Sequence, residues 1–254
     1  MGTARVTAAL DPAAPLARNG PMAGPETLTA QEALRLLYLT YRAVKARGRR
    51  LRFLRVLFVA ANQQDGTSTV ARDFALIAAM RGHDRVLLMD LAMPSNAQLK
   101  RATEHGRIAG LTEIAPIELG LPVEARVEPM EAAGSPVTWL RFHRVRNAPL
   151  FITERFDAPR PEGSEPIGMT EFWERMRKEF ELVVVDGPAV SDSFDPVMLS
   201  NQMDAVILVV AAETTRAPVA QNLRDRIAEV GGPIVGVVLN RRRYHIPGFL
   251  YRRL

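Results

Sequence analysis

"LRVLFVAANQQDGTST", residues 54–69, is the stretch on which the reading of the whole chain turns. A mostly apolar run, 54–60, leads straight into a short polar stretch with one glycine. Ser68 and Thr69 then open the amphipathic run "STVARDFALIAAMRG", 68–82. A strand, a tight loop and a helix that starts on hydroxyl residues form the layout of a phosphate cradle, in which loop N–H groups and the helix N-terminus face an anion. Such loops carry a lysine before the serine, reaching the β- and γ-phosphates. Here Thr67 stands in that place.

Outward from this stretch the same alternation recurs. "RVLLMD" (85–90), "FELVVVD" (180–186), "DAVILVV" (204–210) and "PIVGVVL" (233–239) read as short buried strands. Helical periodicity fills "GMTEFWERMRKEF" (168–180) and "APVAQNLRDRIAEVGG" (217–232). Continuous Val/Ile/Leu strands separated by helices predict a doubly wound α/β fold, its mainly parallel sheet covered by helices on both faces. Upstream, "TAQEALRLLYLTYRAVKARG" (29–48) reads as a helix in which Thr29 and Glu32 form a capping box. Residues 95–168 carry scattered Gly and Pro and read as less regular, with one candidate strand, "VTWLRFH" (137–143), and a loop, "DAPRPEGSEPIG" (157–168). The expected organisation is a flexible Ala/Pro/Gly-rich tail over 1–28, a domain over 29–241, and a basic tail over 242–254.

Composition narrows the function. At 254 residues and 47% hydrophobic the chain can bury one sizeable core. With no cysteine there is no disulfide framework and no thiolate zinc site. The four histidines, His83, His105, His143 and His245, have no metal-ligand spacing, and no serine-centred elbow accompanies them. No signal peptide or membrane-spanning run is visible, so the expected location is cytoplasmic. The net charge is +5, and nearly all the positive charge is arginine, the only lysines being Lys45, Lys100 and Lys178. No base-stacking platform accompanies that charge, which argues against nucleic acid.

In an open parallel sheet, ligands bind beyond the carboxyl ends of the strands. Asp90 and Asp186 each end an apolar strand, the usual station of a magnesium or water partner, and the Ser68 hydroxyl is placed to ligate the same metal. An aspartate at a strand end is also a common helix cap, so each signal gains its weight from the others.

Taken in order, "EALRLLYLTY", "LFVAANQQDGTSTVARDFALIAAMRGHDRVLLMDLAMPS", "FELVVVDGPAV", "DAVILVVAAETT" and "IVGVVLNR" make residues 30–240 resemble the bacterial tyrosine autokinases of capsule and exopolysaccharide assembly. That family lies within the deviant-Walker ATPases, alongside septum-positioning and chromosome-partitioning proteins. The resemblance implies a P-loop NTPase-type fold, ATP with magnesium as the ligand, and a membrane-embedded chain-length determinant or co-polymerase as the partner. It matches Gly66, Ser68 and Thr69 to the phosphate loop, Asp90 and Asp186 to the two Walker aspartates, and Asn240 to an adenine-contacting asparagine.

The departures concern charge and backbone. The loop lysine is Thr67, a loop glycine is Gln64, a second aspartate is Ala92, and "DTPP" has become "DGPA". A charged hydrogen bond contributes about 1.5–3 kcal/mol, so losing the lysine weakens phosphate binding by about ten- to a hundredfold. Gln64 cannot take positive φ as freely as glycine. The expectation is a non-catalytic subunit or regulator with a vestigial site of Gly66, Thr67, Ser68, Thr69 and Asn240. It would need no cofactor and hold ATP and magnesium weakly at most, the metal on Ser68, Asp90 and Asp186. Two alternatives stand beside it: an atypical ATPase or tyrosine autokinase, with Tyr244 and Tyr251 as phosphosites, and a partitioning-type spatial regulator. Glu32 and Arg35 match two positions of the family's oligomerisation motif, whose third position is Tyr38 here. The tail "NRRRYHIPGFLYRRL" mixes arginines with Phe249 and Leu250 and suits an anionic lipid surface, placing the protein peripherally at the inner membrane.

Overall fold

The computed structural model describes residues 5–7, 36, 38–44, 53–80, 85–91, 96–104, 111–112, 136–145, 148–159 and 169–241. The strands are β1 (Arg5–Thr7), β2 (Leu54–Ala60), β3 (Val86–Asp90), β4 (Leu111–Thr112), β5 (Pro136–Val145), β6 (Leu150–Pro159), β7 (Leu182–Asp186), β8 (Ala205–Ala211) and β9 (Ile234–Asn240). The helices are α1 (38–44), α2 (Thr67–Met80), α3 (Ala97–Glu104), α4 (Met169–Glu179), α5 (Asp195–Ser200) and α6 (Ala217–Glu229).

One sheet contains all of these strands, in the order β1-β9-β8-β2-β7-β3-β6-β5-β4. The six strands from β9 to β6 are mutually parallel. The chain therefore leaves β2 in two directions, to β3 on one side and later to β8 on the other. The loop after β2 lies at this reversal, where an open α/β sheet forms its crevice.

Side chains of alternating strand residues enter two separate cores, as the pleat requires. Val56, Phe58 and Ala60 of β2 pack with Val70, Phe74 and Ala78 of α2 on one face. The Phe58 and Phe74 rings lie 5.1 Å apart. On the other face Leu57 and Val59 meet Phe172, Trp173 and Met176 of α4, Val197 of α5, and Leu223 and Ile227 of α6. Helices on both faces explain why these strands lack an exposed polar side. Among the described residues no helix is long and apolar enough to cross a membrane.

The expected parallel core is present, and three regions add to it. Strands β5 and β6 form an antiparallel hairpin, paired from Pro136–Pro159 to Arg144–Phe151, and β6 joins β3 in parallel. The candidate strand 137–143 lies inside β5, whereas residues 157–159, read from sequence as loop, finish β6. Their strand state is set by partners distant in sequence, which local Gly/Pro content does not register. Arg5–Thr7, within the stretch read as a tail, pairs antiparallel with β9. The short helices α3 and α5 fall where sequence periodicity is too brief to read.

Candidate functional site

The carboxyl ends of β2, β3, β7, β8 and β9 converge on the loop 61–66. Its backbone is bent at two residues with left-handed φ, Gln64 (67°) and Gly66 (91°). Gly66 takes this conformation freely. Gln64 pays about 1 kcal/mol or more for it, so the position still demands what glycine supplies. Helix α2 then begins at Thr67, which is buried. The amides of Thr67 and Ser68 have no acceptor within the helix, as at any helix start, while Thr69 N–H donates to the Gly66 carbonyl at 3.1 Å. The loop and helix start thus have the shape of an anion-facing cradle.

Side chains of the protein itself hold the loop from its other side. Asp65 is buried; its Oδ1 accepts the Thr215 hydroxyl at 2.6 Å and its Oδ2 the Asn62 N–H at 3.3 Å. Asn240 Nδ2 donates to the Asp65 carbonyl at 2.7 Å, and Asn240 Oδ1 accepts the Arg241 N–H at 2.9 Å. Both ends of the asparagine amide are therefore engaged with backbone, one at the loop and one at the end of β9. A Cβ on Gly66 would collide with the Asn240 amide nitrogen, and the Arg241 Nε would lie 3.9 Å from it. The side chain that the resemblance assigns to adenine thus staples the loop to the end of β9.

Register brings the two strand-end acids together: Asp90 pairs with Asp186 across β3 and β7. Both are buried. Asp90 Oδ2 accepts the backbone N–H of Gln98 at 3.0 Å, and the Asp90 N–H donates to the Thr153 hydroxyl at 2.9 Å. Asp90 thus caps the start of α3, the commonplace role of an aspartate at a strand end. The Gln98 side chain, wholly buried, reaches between the acids. Its Nε2 donates to Asp186 Oδ2 at 2.6 Å and to the Ser68 carbonyl at 2.8 Å, and its Oε1 accepts from Arg72 at 3.3 Å. Asp186 Oδ1 is buried with no hydrogen-bond partner.

This arrangement raises the Asp186 pKa from 3.8 to about 7. Burial contributes most and the neighbouring Asp90 charge next, against smaller opposing effects of Gln98, the Ser68 hydroxyl and the Arg72 guanidinium. Among the described residues no group of three or more His, Cys, Asp or Glu side chains could hold a metal ion.

Of the residues expected from sequence, Gly66, Thr67, Ser68, Thr69, Asp90, Asp186 and Asn240 all lie around this crevice. Glu32, Arg35, Tyr244 and Tyr251 lie outside the described residues. Tyr38, third in the oligomerisation motif, is exposed, with the Arg42 guanidinium 5.9 Å from its ring centre. Gln98, Arg72, Asp65 and Thr215 are the members that sequence reasoning missed. For Gln98 one signal existed: Asn96 ahead of "AQLKRATE" is a helix start placed shortly after Asp90.

Tested against magnesium and ATP, the residues fit only in part. The helix start and loop suit a phosphate. On the cation side the Gln98 N–H group occupies an Asp186 oxygen, and on the base side Asn240 is committed to the loop. As it stands, the crevice does not fit the metal–nucleotide complex.

The fold is a doubly wound, mostly parallel α/β domain of the P-loop type. Solved structures with this arrangement include the VpsO kinase domain, at 19% identity and a TM-score of 0.52, covering 85% of this chain and 100% of that one. The BceF tyrosine kinase domain matches at 15% identity and a TM-score of 0.53, over 83% of this chain and 76% of that one. The kinase domain of the Escherichia coli tyrosine kinase ETK matches at 16% identity and a TM-score of 0.55, over 91% and 86%. At these identities the likeness is one of fold. No protein-family model and no curated protein matches the chain.

Proposed function

We propose that this chain is a non-catalytic, P-loop-fold subunit or regulator of exopolysaccharide or capsule synthesis and export. It docks on a membrane chain-length determinant or co-polymerase from the cytoplasmic side of the inner membrane, its basic tail meeting the anionic lipid surface. An adaptor needs the fold and its surfaces, not phosphoryl transfer. The observation that carries the reading is the state of the crevice: the tyrosine kinase-like fold is kept whole, while Asn240, Thr215 and Gln98 occupy the positions around the loop and Thr67 brings no charge. Phosphoryl transfer depends on positioning and electrostatic stabilisation, and this site has lost its cation and closed on itself.

Calorimetry with ATP and magnesium tests the reading on the natural chain and on Thr67→Lys. The natural chain should give no binding at sub-millimolar nucleotide. Sub-millimolar affinity together with turnover would refute the proposal. Restored binding by Thr67→Lys would place the defect in the missing charge alone; no restoration would place it in the closed loop as well. Docking is tested by co-purification with the cytoplasmic segments of a co-polymerase, which should survive Asp186→Asn.

One observation favours the second reading, an atypical ATPase or autokinase. Arg241 extends over Gly66 from the end of β9, with its own φ at a left-handed 56°. A guanidinium there is a cation beside the loop, supplied from the end of β9. If this reading holds, the natural chain turns over ATP and Arg241→Ala abolishes it.

A further inference from the structure

The Gln98 side chain makes three hydrogen bonds at the base of the crevice, although neither its spacing nor the resemblance assigns it a role. We propose that the Gln98 amide is an internal substitute for a divalent cation, a plug carried by α3 that keeps the Asp90–Asp186 pair in a metal-free state.

The geometry is specific. A single residue occupies an oxygen of both acids: its side-chain Nε2 sits on Asp186 Oδ2 at 2.6 Å, and its backbone N–H on Asp90 Oδ2 at 3.0 Å. The same Nε2 holds the Ser68 carbonyl at 2.8 Å, joining the start of α2 to the acid pair. A hard divalent cation requires oxygen ligands at about 2.0–2.1 Å for magnesium. An amide NH2 group is a donor with no lone pair to offer, so where it contacts the carboxylates it displaces a cation rather than ligating one. The amide oxygen turns the other way, toward the Arg72 guanidinium at 3.3 Å. The amide thereby bridges the Arg72 guanidinium to the Asp186 carboxylate.

The substitution is incomplete, and the incompleteness supports the assignment. The amide serves one oxygen of Asp186, whereas Oδ1 is left buried with no hydrogen-bond partner. Gln98 is itself wholly buried, so the amide cannot swing into solvent unless α3 moves. That helix is tied to the core through Ala102 and Leu99.

The proposal rests on the reading of the crevice as closed, but its test uses no nucleotide, so the two fail separately: ATP turnover by the natural chain would refute the closed site whatever the metal result. Manganese is titrated into the full chain, with the free ion followed by electron paramagnetic resonance and the protein by thermal denaturation. The natural chain should leave the manganese spectrum and the melting temperature unchanged into the millimolar range. Gln98→Ala should bind one manganese at least about tenfold more tightly, with a melting temperature that rises with metal concentration by mass action. Gln98→Ala combined with Asp186→Asn should lose both effects. Manganese binding by the natural chain that Asp186→Asn removes would overturn the proposal, as would a folded Gln98→Ala that binds none. Should Gln98→Ala not fold, Gln98→Glu decides. Folding rescued by manganese supports the plug; a chain unfolded with and without manganese, or folded and indifferent to it, counts against it.

Discussion

Asp204 and Asp186 are both buried aspartates at strand ends, one at the amino and one at the carboxyl end of the central strands that flank β2. Asp204 precedes β8 and is enclosed by Arg55, whose Nε donates to Oδ2 at 3.0 Å, Nη2 to Oδ1 at 3.1 Å and backbone N–H to Oδ2 at 3.0 Å. The guanidinium in turn lies 5.4 Å from the Trp173 ring centre. Asp186 ends β7 and has an amide on one oxygen and no partner on the other. The first is a structural acid, matched to a rigid bidentate cation. The second is held short of a partner, and its raised pKa records the cost. A buried carboxylate oxygen left unsatisfied beside a second buried acid sets the crevice apart from the Arg55–Asp204 pair.

Three substitutions can break that contrast. The largest effect belongs to the paired acid. Asp204→Ala strands the part-buried Arg55 and should lower the unfolding free energy by about 3–5 kcal/mol, read from urea denaturation at neutral pH. A loss under about 1 kcal/mol would rank the pair with ordinary surface bridges and erase the difference between the two ends.

Asp186→Asn should have the opposite sign. With the folded pKa raised from 3.8 to about 7, the folded chain holds a proton that the unfolded chain releases. This group's contribution is therefore intact below pH 3.8, declines as pH rises toward about 7, and stays lost above that. At pH 8 the asparagine variant should be more stable by about 1–3 kcal/mol, and the decline between the two pKa values should flatten. Destabilisation at pH 8 would mean that the carboxylate is a satisfied structural acid like Asp204.

The smallest effect concerns the loop. Gln64→Gly should raise stability by about 1 kcal/mol, because glycine accepts the left-handed φ of 67°. An unchanged denaturation midpoint would remove the strain from the account.

Much of this was legible before the structure. The apolar runs around 56–59 and 182–185 have no alternation because both faces of the sheet are covered, and that is itself the mark of a parallel core. Asp90 and Asp186 were legible as strand ends, and Gln64 as a position that needs positive φ. What escaped was what tertiary closure alone creates. Gln98 is an unremarkable polar residue on a short helix, and its role exists only because β3 and β7 bring two acids to the same register. The Asn240 amide reaches the Asp65 carbonyl across a long sequence gap, a contact that no local pattern announces. The β5–β6 hairpin depends likewise on pairing between distant residues, which local composition does not encode.

On the function proposed above, the crevice keeps the shape of a phosphate cradle without its chemistry. The most direct test of that reading is label transfer from γ-labelled ATP with magnesium to the natural chain, with Asp186→Ala as the background. The expected result is no label above that background, on Tyr244, on Tyr251 or released as phosphate. Label that accumulates on either tyrosine, or phosphate released at a rate that Asp186→Ala abolishes, would contradict it.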